Sequence, residues 1–162
     1  MRFKLTLLFL VSVVLMVLPS CGEGVVETGV PDLVQGRWNH TATLLNDGSI
    51  LVVGGEGKFR TGLDSTELFK NQAWSSAGAT NEQRGEGHTA TLLDDGRVLV
   101  VGGSDTSEIY DPSSGSWTAT GSMDKPRKWH SSVRLEDGRV LVAGGEHPTN
   151  RKAYNLAEVY DP

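Results

Sequence analysis

One cysteine, Cys21, stands in 162 residues. An internal disulfide is therefore excluded, and the fold has to be held by burial and hydrogen bonding. Basic residues are in deficit, with 15 Lys and Arg against 20 Asp and Glu and a formal net charge of −5. A nucleic-acid partner calls for a net basic footprint, so that class of function is excluded. After the first twenty residues no long segment repeats apolar residues at helical spacing, which argues against a helical domain. Neither a G-x-S-x-G nucleophile turn nor a phosphate-binding loop occurs. Long apolar runs are absent except for Leu5 to Leu18, which falls short of the roughly 20 residues of a membrane span.

That single run has the shape of a targeting segment. Arg2 and Lys4 precede it and "LPSC", Leu18 to Cys21, closes it. The ending resembles the lipobox of bacterial lipoproteins, with Pro19 as a departure at the middle position. The resemblance implies that residues 1–20 are a signal peptide and that Cys21 is lipidated. The chain would then be held in the cell envelope, at the outer membrane of a Gram-negative cell because Gly22 follows the cysteine. An ordinary secretory signal, giving a secreted protein, is the alternative. Residues 21–36 read as a tether with no sustained period. Loss of Arg2 and Lys4 with the leader makes the mature chain more acidic by two charges.

What the sequence has in abundance is glycine, 20 residues, and repetition. "HTATLLNDGSILVVGG" starts at His40, "HTATLLDDGRVLVVGG" at His88 and "HSSVRLEDGRVLVAGG" at His130. Each copy reads as a short strand, an Asp-Gly turn and an apolar strand that ends in two glycines. The glycine of the turn supplies the positive φ that a tight hairpin needs, and the aspartate can bond backbone two residues on. The second strand, Val98 to Val101 in the middle copy, is apolar on both faces and so is expected to be covered on both sides. The first strand carries Thr, Ala and Ser, which suit a crowded position near an axis. A third strand follows in every copy ("TELF" 66–69, "SEIYDP" 107–112, "AEVYDP" 157–162) and a fourth in two of them ("AWSSAG" 73–78, "SWTATG" 116–121). Repeats of four short strands that cannot bury themselves singly predict an all-β, partial β-propeller of about three blades, the last incomplete.

The pairs Gly54-Gly55, Gly102-Gly103 and Gly144-Gly145, followed by Tyr110 with Trp117 or by Phe69 with Trp74, resemble kelch repeats. The wording is most similar to the kelch-type central domain of galactose oxidase and related bacterial secreted proteins. The resemblance covers residues 37–162, divided as 37–80, 81–123 and an incomplete 124–162. Since propellers close with roughly 4–8 blades, the expectation is a fragment of a longer propeller, or copies that self-associate through open edges.

Strand order puts the Asp-Gly turns at one end of the blades and the longer loops at the other. The turn end is acidic, with Asp47, Asp94, Asp95, Asp111, Asp137 and Asp161 among its residues. The loop end adds cations and rings, and Phe59, Arg60, Arg127, Trp129, Arg151 and Tyr154 are its candidate contacts for a glycan or a protein ligand. His40, His88 and His130 are assigned a structural role, each bonding within its own blade, because equivalent atoms in neighbouring blades stand on the order of 10 Å apart, too far to share a metal. The paired glycines, Trp74, Tyr110 and Trp117 are likewise structural. No cofactor and no metal are expected. The resemblance to galactose oxidase raises a copper-radical enzyme, but its cross-linked cysteine and ligand set have no match here. Three functions therefore compete: an envelope-anchored, non-catalytic binding module, the N-terminal part of an oxidase-like carbohydrate enzyme whose site is absent here, and a non-functional gene remnant.

Overall fold

The structure, a computed structural model, describes residues 29–162. The leader, Cys21 and the first part of the tether lie outside the described residues. Eleven strands form three antiparallel sheets. The first sheet is β1 (Thr41–Leu44), β2 (Ile50–Val53), β3 (Ser65–Lys70) and β4 (Ala73–Ala79) in that order. The second is β5 (Thr89–Leu92), β6 (Val98–Val101), β7 (Ser107–Asp111) and β8 (Ser116–Thr120). The third holds β9 (Ser131–Arg134), β10 (Val140–Ala143) and β11 (Ala157–Tyr160). Among the described residues there is no α-helix, only a 3-10 turn at Lys58–Arg60, and no ring of sheets closes. The arrangement is consistent with a partial β-propeller.

Local chemistry explains the hairpins. In each Asp-Gly turn the leucine two residues before the aspartate closes a short loop, as Leu93 N does to Arg97 O at 2.8 Å. The aspartate then accepts the next free amide: Asp47 from Ser49, Asp95 from Arg97 and Asp137 from Arg139, at 3.0, 3.0 and 3.2 Å. Gly48, Gly96 and Gly138 follow at φ 82°, 87° and 86°, a region costly for any residue with a Cβ.

Two cores occur, one at each joint between sheets. Leu45, Leu51, Val53 and Ala77 of the first sheet meet Val98, Val100 and Tyr110 of the second. Leu93, Leu99, Val101 and Ile109 of the second sheet, with Met123, meet Val140 and Val142 of the third. Every residue of β6 is buried, because opposite faces of one strand feed the two cores. Each Leu or Val so covered contributes roughly 1.5–3 kcal/mol relative to exposure. The inner strands β1, β5 and β9 lie side by side in sequence, and β4 also touches β8. Aromatic pairs stand in cross-strand register on the outer strands, Phe69 with Trp74 at 4.9 Å and Tyr110 with Trp117 at 5.1 Å between ring centroids.

Two expectations need correction. The histidines do not bond only within their own sheet. His88 Nδ1 does face Gly85 O, in the segment that leads into β5, at 3.0 Å, but Nε2 reaches across to Val53 O and Thr41 Oγ1 of the first sheet at 3.1 and 3.2 Å. His130 Nε2 likewise meets Thr89 Oγ1 of the second sheet at 2.9 Å. The ring is long enough to span the joint, and the inner strands come closest there. Arg127 is the second correction: it is fully buried and closes its own sheet, so no incoming ligand can reach its guanidinium.

Candidate functional site

The loop end is organised by a device that occurs three times. Arg37, Arg84 and Arg127 each precede a repeat histidine, and Glu67, Glu108 and Glu158 each lie on the third strand of a sheet. Arg37 pairs with Glu67 and Arg84 with Glu108, both at 2.7 Å, and Arg127 pairs with Glu158. Each guanidinium also donates to two carbonyls that end the second strand and begin the third: Gly54 and Ser65, Gly102 and Thr106, Gly144 and Leu156. Each carboxylate accepts from the amides of the incoming connection: Val34 and Gln35, Asn81 and Glu82, and Asp124. The arginine thereby ties strand ends to the connection, and the loops above start from fixed points. A buried pair of this kind needs such extra bonds to offset desolvation. The signal lies in the repeated "R…H" and "E-[LIV]-[FY]" patterns, which are weaker than the turns and paired glycines beside them.

Above this platform lies a rim. Glu56 and Glu146 follow the paired glycines of the first and third sheets and form backbone bridges to Trp38 and Lys128. Trp38 donates its indole N–H to Glu56 Oε2 at 2.6 Å, and Asn39 Nδ2 approaches the same oxygen at 3.3 Å. Lys128 pairs with Glu86 of the neighbouring connection and lies 3.9 Å from Glu146. The carboxylates thus fix one ring and one cation at the solvent boundary.

The residues expected at the ligand site have different fates. Phe59 and Arg60 sit exposed on the 3-10 turn, and Arg151 is exposed in the third sheet's loop. Tyr154 is half-buried, its ring 5.8 Å from the Arg127 guanidinium carbon and 6.4 Å from the His147 ring. Trp129 is exposed beside the second connection, where its amide bonds Gly87 O at 2.8 Å. Among the described residues no hydrogen bond, ion pair or ring contact joins Phe59 or Arg60 to Trp129, Arg151 or Tyr154. Nor does any such contact join Trp129, Arg151 and Tyr154 to one another; Tyr154 stands with Arg127 and His147. Strand order places Glu56, Glu86, Lys128 and Glu146 in loops at this end, but no motif marks them or Trp38 as partners, and only the fold pairs them.

Backbone conformation sets two of these rings apart. Phe59 has φ 63° and is 87% exposed, and Trp129 has φ 59° and is 54% exposed. The residue before each repeat histidine is left-handed, as Asn39 (φ 56°), Gly87 (φ 77°) and Trp129. Asn and Gly suit that region, whereas a bulky ring is strained in it.

Electrostatics at the joints follow burial. His88 and His130 are held neutral, the latter brought down to about 4 by loss of solvent and by Arg127 nearby. At the turn end, hydrogen bonds lower Asp47, Asp111 and Asp137 below the usual carboxylate range, with the charges of Lys70 and Arg139 adding to the effect at Asp47 and Asp137. A cleft of about 540 Å³ opens there between the first two sheets, lined by Leu45, Asp47, Asp95, Arg97, Asp111 and their neighbours. A second of about 290 Å³ lies between the second and third sheets beside Met123, Val142 and Tyr160.

No family model matches the chain, and no curated protein gives a significant match.

Proposed function

We propose that the protein is a kelch-type propeller module, anchored in the bacterial envelope through Cys21, that binds a glycan or peptide at its loop end without catalysing a reaction. The observation that carries the reading is the pair of strained, solvent-facing rings, Phe59 and Trp129, on a scaffold whose loop bases are clamped by buried arginine–glutamate pairs. Backbone strain persists where surrounding structure enforces it, and it clusters at ligand sites. A large ring offers apolar area with little flexibility, and the neighbouring carboxylates and cations supply hydrogen bonds for hydroxyls or peptide groups. The kelch reading rests on the repeat pattern and on three successive antiparallel sheets that pack through equivalent faces.

The test has two arms. Envelope glycans and random peptides are arrayed and probed with the full chain, with Trp129→Ala and with Phe59→Ala. Binding that drops at least tenfold in a ring variant supports the site, and binding unchanged in both moves it elsewhere. Radiolabelled palmitate separates the anchor from the ligand: the wild type takes up label and Cys21→Ala does not, whereas equal labelling removes the lipoprotein assignment.

A further inference from the structure

Two of the three sheets carry a hairpin tip at the loop end, and the sheet between them does not. The connection from the second to the third strand spans 54–64 in the first sheet and 144–156 in the third, but only 102–106 in the second. The two long connections close in the same way. Gly57 N donates to Thr61 O at 2.9 Å and Arg60 N to Gly57 O at 3.2 Å. His147 N donates to Lys152 O at 2.9 Å and Arg151 N to His147 O at 3.1 Å. The tip sequences, "GKFRT" at 57–61 and "HPTNRK" at 147–152, otherwise differ.

Arg60 and Arg151 thus hold one position, just before the residue whose carbonyl closes the tip. Both are exposed and both are left-handed, at φ 57° and 56°. That conformation is costly for a residue with a Cβ, and such strain clusters at ligand sites. Lys58 and Lys152 stand exposed on the same tips. None of these four cations forms an ion pair among the described residues.

The connection into the second sheet joins the bases of the two tips. A Cβ added to Gly62 would lie 3.3 Å from Gln83 Oε1 and 3.5 Å from Gly85 Cα, so the first tip rests on 83–85. Glu86 pairs with Lys128, whose backbone bridges to Glu146 at the base of the third sheet's tip. Trp129 follows and its amide bonds Gly87 O. The middle connection is short and closed by its own Ser104 and Thr106 hydroxyls, 2.8 Å apart. Residues 83–87 therefore floor a trough with one tip at each end. Sheets pack about 10 Å apart, which sets the tips about 20 Å apart.

Charge selects what could lie there. The chain carries a net −5, so four unpaired cations on two tips reverse the sign locally. The acids at the bases are already engaged, Glu56 by Trp38 and Glu86 by Lys128. A guanidinium fork matches carboxylate, sulfate and phosphate oxygens. Tip amides are spent on closing the tips, which leaves no free strand edge for a peptide backbone. The tips and the floor offer side chains instead: the forks, and the exposed rings of Phe59 and Trp129, which can stack on sugar faces.

We infer that the ligand of the loop end is an extended anionic glycan that lies over 83–87, held at its two ends by Arg60 and Arg151 and stacked on Phe59 and Trp129. The inference rests on the binding reading above and names the class of ligand within it.

Binding of the full chain to polygalacturonate and dextran sulfate is compared with binding to methyl-esterified polygalacturonate, dextran and polyglutamate. At least one of the two charged glycans should bind at least tenfold more tightly than its uncharged counterpart and than polyglutamate. Arg60→Gln and Arg151→Gln should each weaken that binding at least fivefold. Glutamine has a Cβ as arginine does, so the tip backbone is left as it is. Lys125→Gln removes the same charge from the exposed connection outside the tips and should change binding less than twofold. Short oligomers of the bound glycan, unable to span both tips, should lose the dependence on one of the two arginines. Equal binding to charged and uncharged glycans overturns the inference and leaves the glycan reading standing. Preference for polyglutamate makes the ligand an acidic peptide and overturns it too. Equal losses in all three charge variants reduce the effect to net charge and refute the trough. No binding to any of the five polymers removes both the inference and the reading beneath it.

Discussion

Arg84 and Glu108 meet at 2.7 Å in a place closed to solvent, 24 residues apart in sequence, and each also holds backbone groups at the base of the loops. Neither charge touches a ligand site, yet together they define where the loops of the second sheet begin.

Removing one member of this pair leaves a buried charge without its counterion. Arg84→Ala and Glu108→Gln are each expected to lower stability by about 3–5 kcal/mol. The double variant should lose clearly less than the sum of the two, because the orphaned charge disappears. Urea unfolding of the four proteins of the cycle measures this, and additive losses would refute a coupled pair.

Gly102 serves a joint as well as a turn. Its φ is 96°, and a Cβ there would stand 2.3 Å from His130 Cε1 of the next sheet. Gly115 has φ 67° with nothing within 4 Å of the added atom. Gly115→Ala should therefore cost about 1–2 kcal/mol from backbone strain alone. Gly102→Ala should cost more, because the inserted methyl also pushes the histidine out of the joint. Equal thermal shifts in the two variants would show that the close approach does not matter.

Acid should loosen the joints before it titrates the carboxylates. His130 is held at about 4 in the folded chain against 6.5 for a free histidine. As pH falls through this interval the unfolded chain takes up the proton first, so stability present above 6.5 is lost progressively down to about 4. His88 acts in the same direction. Denaturation midpoints from pH 7.5 to 4 should fall in the wild type, and the decline should be shallower in His130→Gln.

Strain at the exposed rings predicts an exchange between binding and stability. Phe59→Gly and Trp129→Gly relieve a positive φ without opening a core, and each should raise stability by about 1 kcal/mol. The same changes remove the rings assigned to the ligand. A glycine variant that is less stable than the wild type would mean that the ring packs against the rim and is part of the scaffold.

Much of the strand order was legible in the repeats. The unbroken apolar run in "RVLVV" announces a strand covered on both faces, and "DDG" announces its turn, because both properties depend on neighbours a few residues away. The loop end was less legible. Arg127 looked like a surface cation between Lys125 and Lys128, and only the return of β11 brings Glu158 to it. His88 and His130 looked like local fasteners, and only the lateral approach of β5 to β1 and of β9 to β5 makes them bridges. Trp38, Glu56 and Lys128 carry no motif, since their proximity depends on three separate segments arriving at one rim.

The sequence by itself determined the strands, the Asp-Gly turns and the repeated apolar faces, since period and turn chemistry act over distances of a few residues. Tertiary structure alone decided which charges were clamped out of solvent, which histidines crossed a joint and which rings stayed exposed. Those outcomes depend on desolvation and on contacts between sheets tens of residues apart, and a local pattern does not encode either.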